Sequence, residues 1–365
     1  MKNVLMFISC SGCGVSSLLA EQALAFHQSA RLSFTFVGDN REQYEGLFEK
    51  LSRGNVTMVS LAGLDDHTDF RKKAREISRI MERCKAEVIH VQTNWQLALV
   101  AWAKLAHGHE CKVVYTIHAY RNTSLVKSLS ARAVMGTALW LLADLVIMPS
   151  SFLLSQFPML RRKAVVLPLG VDEAIMAQDR VHPRMSPPTL IFAGQFRRGK
   201  NQEWIIRALA EYIQRHKTRD VRLVLPGEGT CYERCRKLVE ALGLGGLVVM
   251  PGACNREEIL RYYGTATCAV VPSSSETFGH CIAEPFCLGI PVLSRPVGVA
   301  HDIIEHGKTG WFFRSRSELV GLLSEVLLKN DLLAGVSINS FRARQRFSWA
   351  QIRSSYEQFV DRPSI

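Results

Sequence analysis

Short apolar runs alternate along this chain with longer stretches whose apolar residues recur every three to four positions, the rhythms of strand and helix. Runs at 4–9, 32–37, 56–59, 87–91, 112–117, 145–148 and 164–167 predict strands, and stretches at 17–27, 66–85, 95–106 and 129–143 predict helices between them. The rhythm breaks at His182-Pro183-Arg184-Met185-Ser186-Pro187-Pro188, a proline-stiffened segment short of apolar residues. It resumes with strands at 189–193, 221–225, 247–250, 268–271, 290–293 and 311–313 and helices at 202–216, 231–242, 256–263, 317–328 and 349–359. Strands and helices alternating at this spacing predict an α/β fold of two Rossmann-like domains. The expected boundaries are an N-terminal domain over 1–170, a linker over 171–188, a second domain over 189–345, and a C-terminal helix within 346–365 that packs back toward the first domain.

The length of 365 residues agrees with two domains, because single cores seldom grow past about 250–300 residues. A composition of 47% hydrophobic and 21% charged residues is that of a folded globular chain. The apolar run at 133–143 is broken by Asp144 well before the roughly 20 residues that span a bilayer, so no transmembrane helix is expected. Met1-Lys2-Asn3 leads straight into a strand, which does not read as a signal peptide. Cys10 and Cys13 form a lone Cys-x-x-Cys, and Cys231 and Cys235 sit four apart, but no Cys/His cluster completes a tetrahedral set. No metal is expected, and the cysteines read as free thiols in a reducing, cytoplasmic compartment.

The formal charge of +12 points to anionic partners: nucleic acid, an anionic membrane surface or phosphorylated small molecules. A nucleic-acid protein would show a continuous basic stripe with interleaved aromatics. Here the cations are diluted by acids, even at 66–85, where Arg71, Lys72, Lys73, Arg75, Arg79, Arg83 and Lys85 mix with Asp66, Asp69, Glu76 and Glu82. That helix is expected to turn a solvated face outward. In 129–143, Leu129, Ala133, Leu139 and Leu142 are expected to pack on the sheet, although Trp140 and the basic start, Lys127 and Arg132, also allow a shallow membrane contact.

The candidate chemistry lies just past strand ends, where backbone amides and helix N-termini meet anions. Gly194-Gln195-Phe196-Arg197-Arg198-Gly199-Lys200-Asn201 sets cations and glycines before a helix, a cradle for a diphosphate. It lacks the Gly-Lys-Ser/Thr ending of a P-loop. His118 closes the strand at 112–117, and its imidazole titrates near neutrality and can exchange a proton with a reacting oxygen. His90 also closes a strand, where a buried structural role is the simpler reading. The stretch from Pro272 to Pro285 is a strand-loop-helix crest carrying Glu276 in the loop and Glu284 about two helical turns later. Taken singly, each glutamate is as readily a solvated surface carboxylate as a ligand.

Glu276-Thr277-Phe278-Gly279-His280-Cys281-Ile282-Ala283-Glu284, followed by Gly289-Ile290-Pro291-Val292, resembles the signature of the retaining glycosyltransferases of family 4. Weaker matches stand in the family's order: Gly14-Val15-Ser16, Tyr115-Thr116-Ile117-His118, Leu169-Gly170-Val171-Asp172, Gly227-Glu228-Gly229 and Pro272-Ser273. The resemblance implies the GT-B fold, two Rossmann-like domains facing each other across a cleft. It implies a sugar transferred with retention from a UDP- or GDP-linked nucleotide-diphosphate sugar to a hydroxyl of a glycan or lipid-linked acceptor, with no further cofactor. By the same resemblance Glu276 engages the transferred sugar, Glu284 the ribose, Lys200 the diphosphate, and Phe278 and Gly279 the sugar or phosphate through their amides. Gly14 lets the acceptor-side loop approach the donor, and His118 assists at the reaction centre.

This chain departs from the family at Gln195, where an arginine is usual, so the cation partnering Lys200 falls to Arg198 or Arg197. Pro285 is tolerable only in the first helical turn or at a kink, and Asp302 stands where glutamate is more common. Charge and resemblance together suggest a cytoplasmic enzyme, peripheral on the inner face of the cell membrane, that builds lipopolysaccharide or another cell-surface polysaccharide. The alternatives are a non-catalytic sugar-nucleotide or polyanion binding protein and a GT-B epimerase. A phosphorylase would need a pyridoxal lysine, which no feature marks.

Overall fold

The computed structural model describes residues 1–8, 16–39, 49, 51–54, 56–64, 66–118, 125–178, 186–328 and 330–362. The chain divides into two compact units, Met1–Gly170 with Ser348–Ile365, and Val171–Phe347.

In the first unit the elements run β1 (Lys2–Phe7), α1 (Ser16–His27), β2 (Leu32–Gly38), β3 (Met58–Ser60), α2 (Phe70–Arg83), β4 (Val88–Val91), α3 (Asn94–His107), β5 (Lys112–Thr116), α4 (Leu125–Leu142), β6 (Leu145–Met148), α5 (Ser151–Ser155) and β7 (Ala164–Val166). The strands form one parallel sheet of order β3-β2-β1-β4-β5-β6-β7. The two-residue side-chain period of β1 sends Val4 and Met6 into the layer shared with α1, and Leu5 and Phe7 into the layer shared with α2 and α3.

The helix faces partly depart from expectation. In α2 the buried stripe is Ala74, Ile77, Ile80 and Met81, and most of its cations are exposed. Lys73 is instead buried, donating from Nζ to the Asp66 carbonyl at 2.6 Å. In α4 Leu139 packs inward, but Ala133 and Leu142 are exposed, and the side chain of Leu129 lies outside the described residues. Of the three described residues, only Leu139 shows the expected packing.

The C-terminal helix Trp349–Val360 buries Trp349, Ile352, Tyr356 and Val360, one stripe spaced by three and four, into the α1 layer. Its Arg353 Nη1 donates to the Ala25 carbonyl at 2.8 Å, and the Ser29 hydroxyl donates to Glu357 at 2.7 Å. Trp349 lies over Gly170, where an added Cβ would stand 2.4 Å from the indole. Gly170→Ala should therefore cost about 1–3 kcal/mol of stability by overpacking. The urea midpoint measures it, and Trp349→Leu in the same chain should return part of the loss.

His90 on β4 is fully buried, bonded through Nε2 to the Thr116 hydroxyl at 2.7 Å and stacked on Tyr356 at 5.4 Å. Burial, and next the charge of His118, lower its pKa to about 3. Above about pH 6.5 it is neutral in both folded and unfolded chains. Below that the unfolded chain takes a proton that the folded chain refuses until about pH 3, so stability falls with pH, by about 2 kcal/mol between pH 6.5 and 5. Urea melts at pH 7, 6 and 5 should show this decline, and His90→Gln should flatten it; an unchanged slope in that variant contradicts the assignment.

The second unit begins inside the expected linker. Asp172 caps α6 (Glu173–Met176), and the Val171 amide donates to the Phe347 carbonyl at 3.0 Å, so residues 171–178 are folded structure. The elements then run β8 (Thr189–Ile191), α7 (Gln202–His216), β9 (Arg222–Val224), α8 (Tyr232–Ala241), β10 (Val248–Val249), α9 (Arg256–Thr265), β11 (Cys268–Val271), α10 (His280–Cys287), β12 (Val292–Ser294), α11 (Ala300–Ile303), β13 (Trp311–Phe312), α12 (Arg316–Leu328) and α13 (Asn330–Arg342). The parallel sheet has the order β10-β9-β8-β11-β12-β13. Its winding reverses between β8 and β11, and a crevice opens beyond the carboxyl ends of strands at such a point.

Candidate functional site

The loops leaving β8 and β11 meet at this reversal. The Ser274 amide donates to the Gly199 carbonyl at 2.7 Å, and Asn201 Nδ2 donates to the Pro272 carbonyl at 2.9 Å. The loop after β9 braces the other side: the Gly194 amide donates to Pro226 at 3.0 Å and the Phe196 amide to Glu228 at 2.8 Å. So held, Lys200 Nζ stands 2.6 Å from Glu276 Oε1, with side-chain exposures of only 12% and 8%. Burial alone disfavours the Lys200 ammonium, but Cys281 and the Glu276 carboxylate outweigh it and raise its pKa above the ordinary lysine value. Burial keeps the Cys281 thiol protonated, so the carboxylate is the effective partner. An ammonium has three donors, which leaves Lys200 able to bind a phosphate oxygen while it holds Glu276.

Two glycines make room for Glu276. Gly279 caps α10 at φ 98°, and Gly298 has φ 53°, where an added Cβ would lie 2.2 Å from the Phe278 carbonyl oxygen and 2.8 Å from the Glu276 Cβ. L-residues with side chains rarely adopt either conformation. Phe278 is buried, its ring edge-on to His280 at 4.9 Å and to Phe347 at 5.9 Å. Pro285 sits in the second turn of α10 rather than the first, and the helix ends at Cys287, two residues later. The proline can donate no hydrogen bond to the Cys281 carbonyl, which a longer helix would tolerate poorly.

Glu284 is not a solvated surface carboxylate but is held by two partners. Arg256 Nη1 donates to its Oε1 at 2.8 Å, the Tyr263 hydroxyl donates to its Oε2 at 3.1 Å, and Arg256 Nε donates to Asp172 at 2.9 Å. Burial opposes the Arg256 charge, but Glu284 and Asp172 more than restore it; burial, and then Glu284, push the Tyr263 phenol well up, so it stays a donor. A carboxylate offers about four acceptor positions, so Glu284 retains capacity for a ligand hydroxyl. Sequence reasoning missed Arg256 and Tyr263. The capping box of Asn255 and Glu258 marks where α9 starts and hence where Arg256 sits, but nothing local ties it to Glu284.

Around this crest several buried polar atoms have no partner among the described residues: Arg256 Nη2, Ser273 Oγ, His280 Nε2 and Arg295 Nε. Burial lowers the His280 pKa, with Glu284 acting against it, so its imidazole is neutral near pH 7. Arg295 follows β12, donates to the Ser274 hydroxyl at 3.3 Å and lies over the Trp204 ring at 5.4 Å. Orphaned buried polar atoms are rare in folded chains; here Ser273 and His280 lie on the crest and Arg256 and Arg295 are bonded to it through Glu284 and Ser274, while His90 Nδ1 and Tyr356 Oη are orphaned in the first unit.

The other expected residues are scattered. Arg197 and Arg198 are exposed, and both line a recess of about 340 Å³ with Trp204, Cys231 and Arg234; of the two, Arg197 bears electrostatically on Lys200. In the first unit His118 follows β5, and its Nε2 is bonded to the side-chain oxygen of Gln92, just past β4. Gln92 was not anticipated. Gly14 lies outside the described residues, as do Cys10 and Cys13.

Residues 33–175 match the model of Glycosyltransferase Family 4, and residues 177–341 that of Glycosyl transferases group 1. The chain belongs to this glycosyltransferase family. Across 99% of both chains it resembles the Anabaena HepE structure in complex with UDP and glucose, at 17% identity and a TM-score of 0.77. The apo form of the lipopolysaccharide outer core galactosyltransferase WaaB matches over 99% of both chains at 17% identity and a TM-score of 0.73. These similarities identify the glycosyltransferase fold as GT-B, with its two Rossmann-like α/β domains. The D-inositol 3-phosphate glycosyltransferase of Thermobifida fusca is 33% identical over 33% of this chain and 30% of its own. The chain spans less than half the length of the curated relatives it matches. Among the described residues no helix is long and apolar enough to cross a membrane.

Proposed function

We propose that this chain is a retaining glycosyltransferase that moves a sugar from a UDP- or GDP-sugar to a hydroxyl of a glycan or lipid-linked acceptor. The observation that carries the reading is the crest itself, which holds the Lys200–Glu276 pair and the Glu284–Arg256–Tyr263 group and has orphaned buried polar atoms on it at Ser273 and His280 and beside it at Arg256 and Arg295. A nucleoside diphosphate sugar offers oxygens to Lys200, Ser273 and the first-turn amides of α10, and ribose hydroxyls to Glu284. The acceptor oxygen bonds to the anomeric carbon as the bond from that carbon to the diphosphate breaks, and the acceptor proton leaves with the diphosphate oxygen. Lys200 and the α10 N-terminus stabilise the charge that develops on this leaving group. Glu276 orients the sugar, and His118 assists at the reaction centre. Both relatives named with a sugar-transfer role support the reaction class, and the UDP complex of HepE supports this class of donor.

The same reading assigns the protein to the cytoplasm, peripheral on the inner membrane face, in lipopolysaccharide or other cell-surface polysaccharide synthesis. Incubation with a panel of UDP- and GDP-sugars, with and without glycan and lipid-linked acceptors, should release nucleotide from one donor in an acceptor-dependent way. If no donor binds or turns over, and Glu284→Ala and Lys200→Ala leave binding unchanged, the reading falls.

A further inference from the structure

The outer face of α4 is apolar where a water-facing helix should be polar. Val134 is 72% exposed, Trp140 51% and Leu141 65%, and Ala133 and Thr137 are exposed beside them, while Leu139 points into the core. The spacing of 134, 137 and 141, with 133 and 140 alongside, makes one continuous stripe without a charged side chain. The turn at Pro158–Leu160 extends it: Met159, 47% exposed, comes so close to Gly136 that an added Cβ there would lie 2.2 Å from its sulfur.

Cations rim this stripe. Arg161 and Arg162 are exposed two and three residues after Met159, and Lys163 Nζ lies 5.4 Å from the Trp140 ring while donating to the carbonyls of Trp140 and Ala143 at the end of α4. Between residues 122 and 171 the sequence has a single acid, Asp144. It is turned to the Val113 amide at 2.8 Å and to Lys104 at 3.9 Å. The strongly basic helix α2 has exposed Arg71, Lys72, Arg75 and Arg79, but Glu76 and Glu82 break its field and its large apolar residues are buried or partly buried.

We propose that the outer face of α4, with Met159, Arg161 and Arg162, is a docking surface for an anionic phospholipid bilayer. Trp140, Leu141 and Val134 enter the headgroup boundary, and the rim cations meet lipid phosphates. Apolar residues on one face with cations at its edge are what an interfacial helix requires. This deepens the peripheral-membrane part of the proposed function, on which it rests, and does not depend on the sugar-transfer chemistry.

The test is co-sedimentation of the full chain with vesicles of phosphatidylcholine alone or with about a third phosphatidylglycerol. Wild type should bind only the anionic vesicles. Trp140→Ser/Leu141→Ser, at unchanged charge, should weaken binding at least about tenfold. Arg161→Gln/Arg162→Gln should weaken it by about fivefold per cation, and Arg75→Gln/Arg79→Gln, which removes the same charge from α2, should have little effect. All of these side chains are exposed, so circular dichroism and the urea midpoint should match wild type. If wild type binds no vesicles, the peripheral reading falls along with this surface. If wild type binds and the α4 variants bind equally well, or if light scattering shows a dimer that Trp140→Ser/Leu141→Ser dissociates without changing vesicle binding, this surface is wrong and the peripheral reading stands.

Discussion

Lys200→Met should lose about 3–5 kcal/mol of stability and about 10²–10³-fold in sugar-transfer turnover. The stability loss follows from Glu276, which at 8% exposure would be left buried without its cation partner. The turnover loss follows from a different duty, because the same ammonium is proposed to face the position where a departing diphosphate gathers charge. The double variant Lys200→Met/Glu276→Gln, compared with Glu276→Gln alone, separates the two. It removes the stranded carboxylate and should recover most of the stability in urea melts, while turnover stays low. If activity returns along with stability, Lys200 is structural and has no part in the chemistry.

Arg256→Met should weaken binding of the nucleoside diphosphate about tenfold. Its guanidinium holds Glu284 through Nη1 and Asp172 through Nε, so its loss frees the carboxylate that the ribose is proposed to meet. The side chain is 36% exposed, and water screens part of the loss, so the cost in stability should stay near about 1–2 kcal/mol. Arg256→Lys should rescue only partly, because an ammonium cannot span both carboxylates in the fork geometry of a guanidinium. Calorimetric titration with UDP and with GDP measures the effect, and inorganic pyrophosphate, which has no ribose, should bind variant and wild type alike. Equal nucleotide affinity in wild type and Arg256→Met would remove Arg256 from the site.

The alternation of strand and helix was readable because most strands are compact apolar runs and most helices keep one apolar stripe; α7 at 202–216 and β11 at 268–271 fall where periodicity put them. α13 was not anticipated. Its buried Leu333 and Val336 stand next to exposed Leu332 and Ile338, which blurs the period. In α4 the difficulty was the reverse. The helix is apolar nearly all round, so its composition does not reveal which side meets the sheet, and only the packing of Leu139 does. The spacing of Glu276 and Glu284 could be read directly, yet their partners could not. Lys200 is 76 residues from Glu276, and Arg256 is 28 from Glu284 and 84 from Asp172. Such pairs are created by sheet order, the adjacency of β8 and β11 above all, and local sequence carries no record of that order.

The hydrogen bond from the Val171 amide to the Phe347 carbonyl joins the first and last residues of the second unit. In construction terms the unit is a cassette, with its entry and exit side by side, set into a chain whose final helix completes the sheet layer begun by β1 and α1. The halves are therefore unequal under truncation. Residues 171–347 can be cut out by severing two neighbouring points of the backbone, and the excised piece keeps both glutamates, Lys200 and Arg256. A chain stopped before residue 348 strips Phe26, Phe34 and His90 of the helix that seals them. During synthesis the first unit must wait for residues 349–360, while the second can close on itself before they emerge.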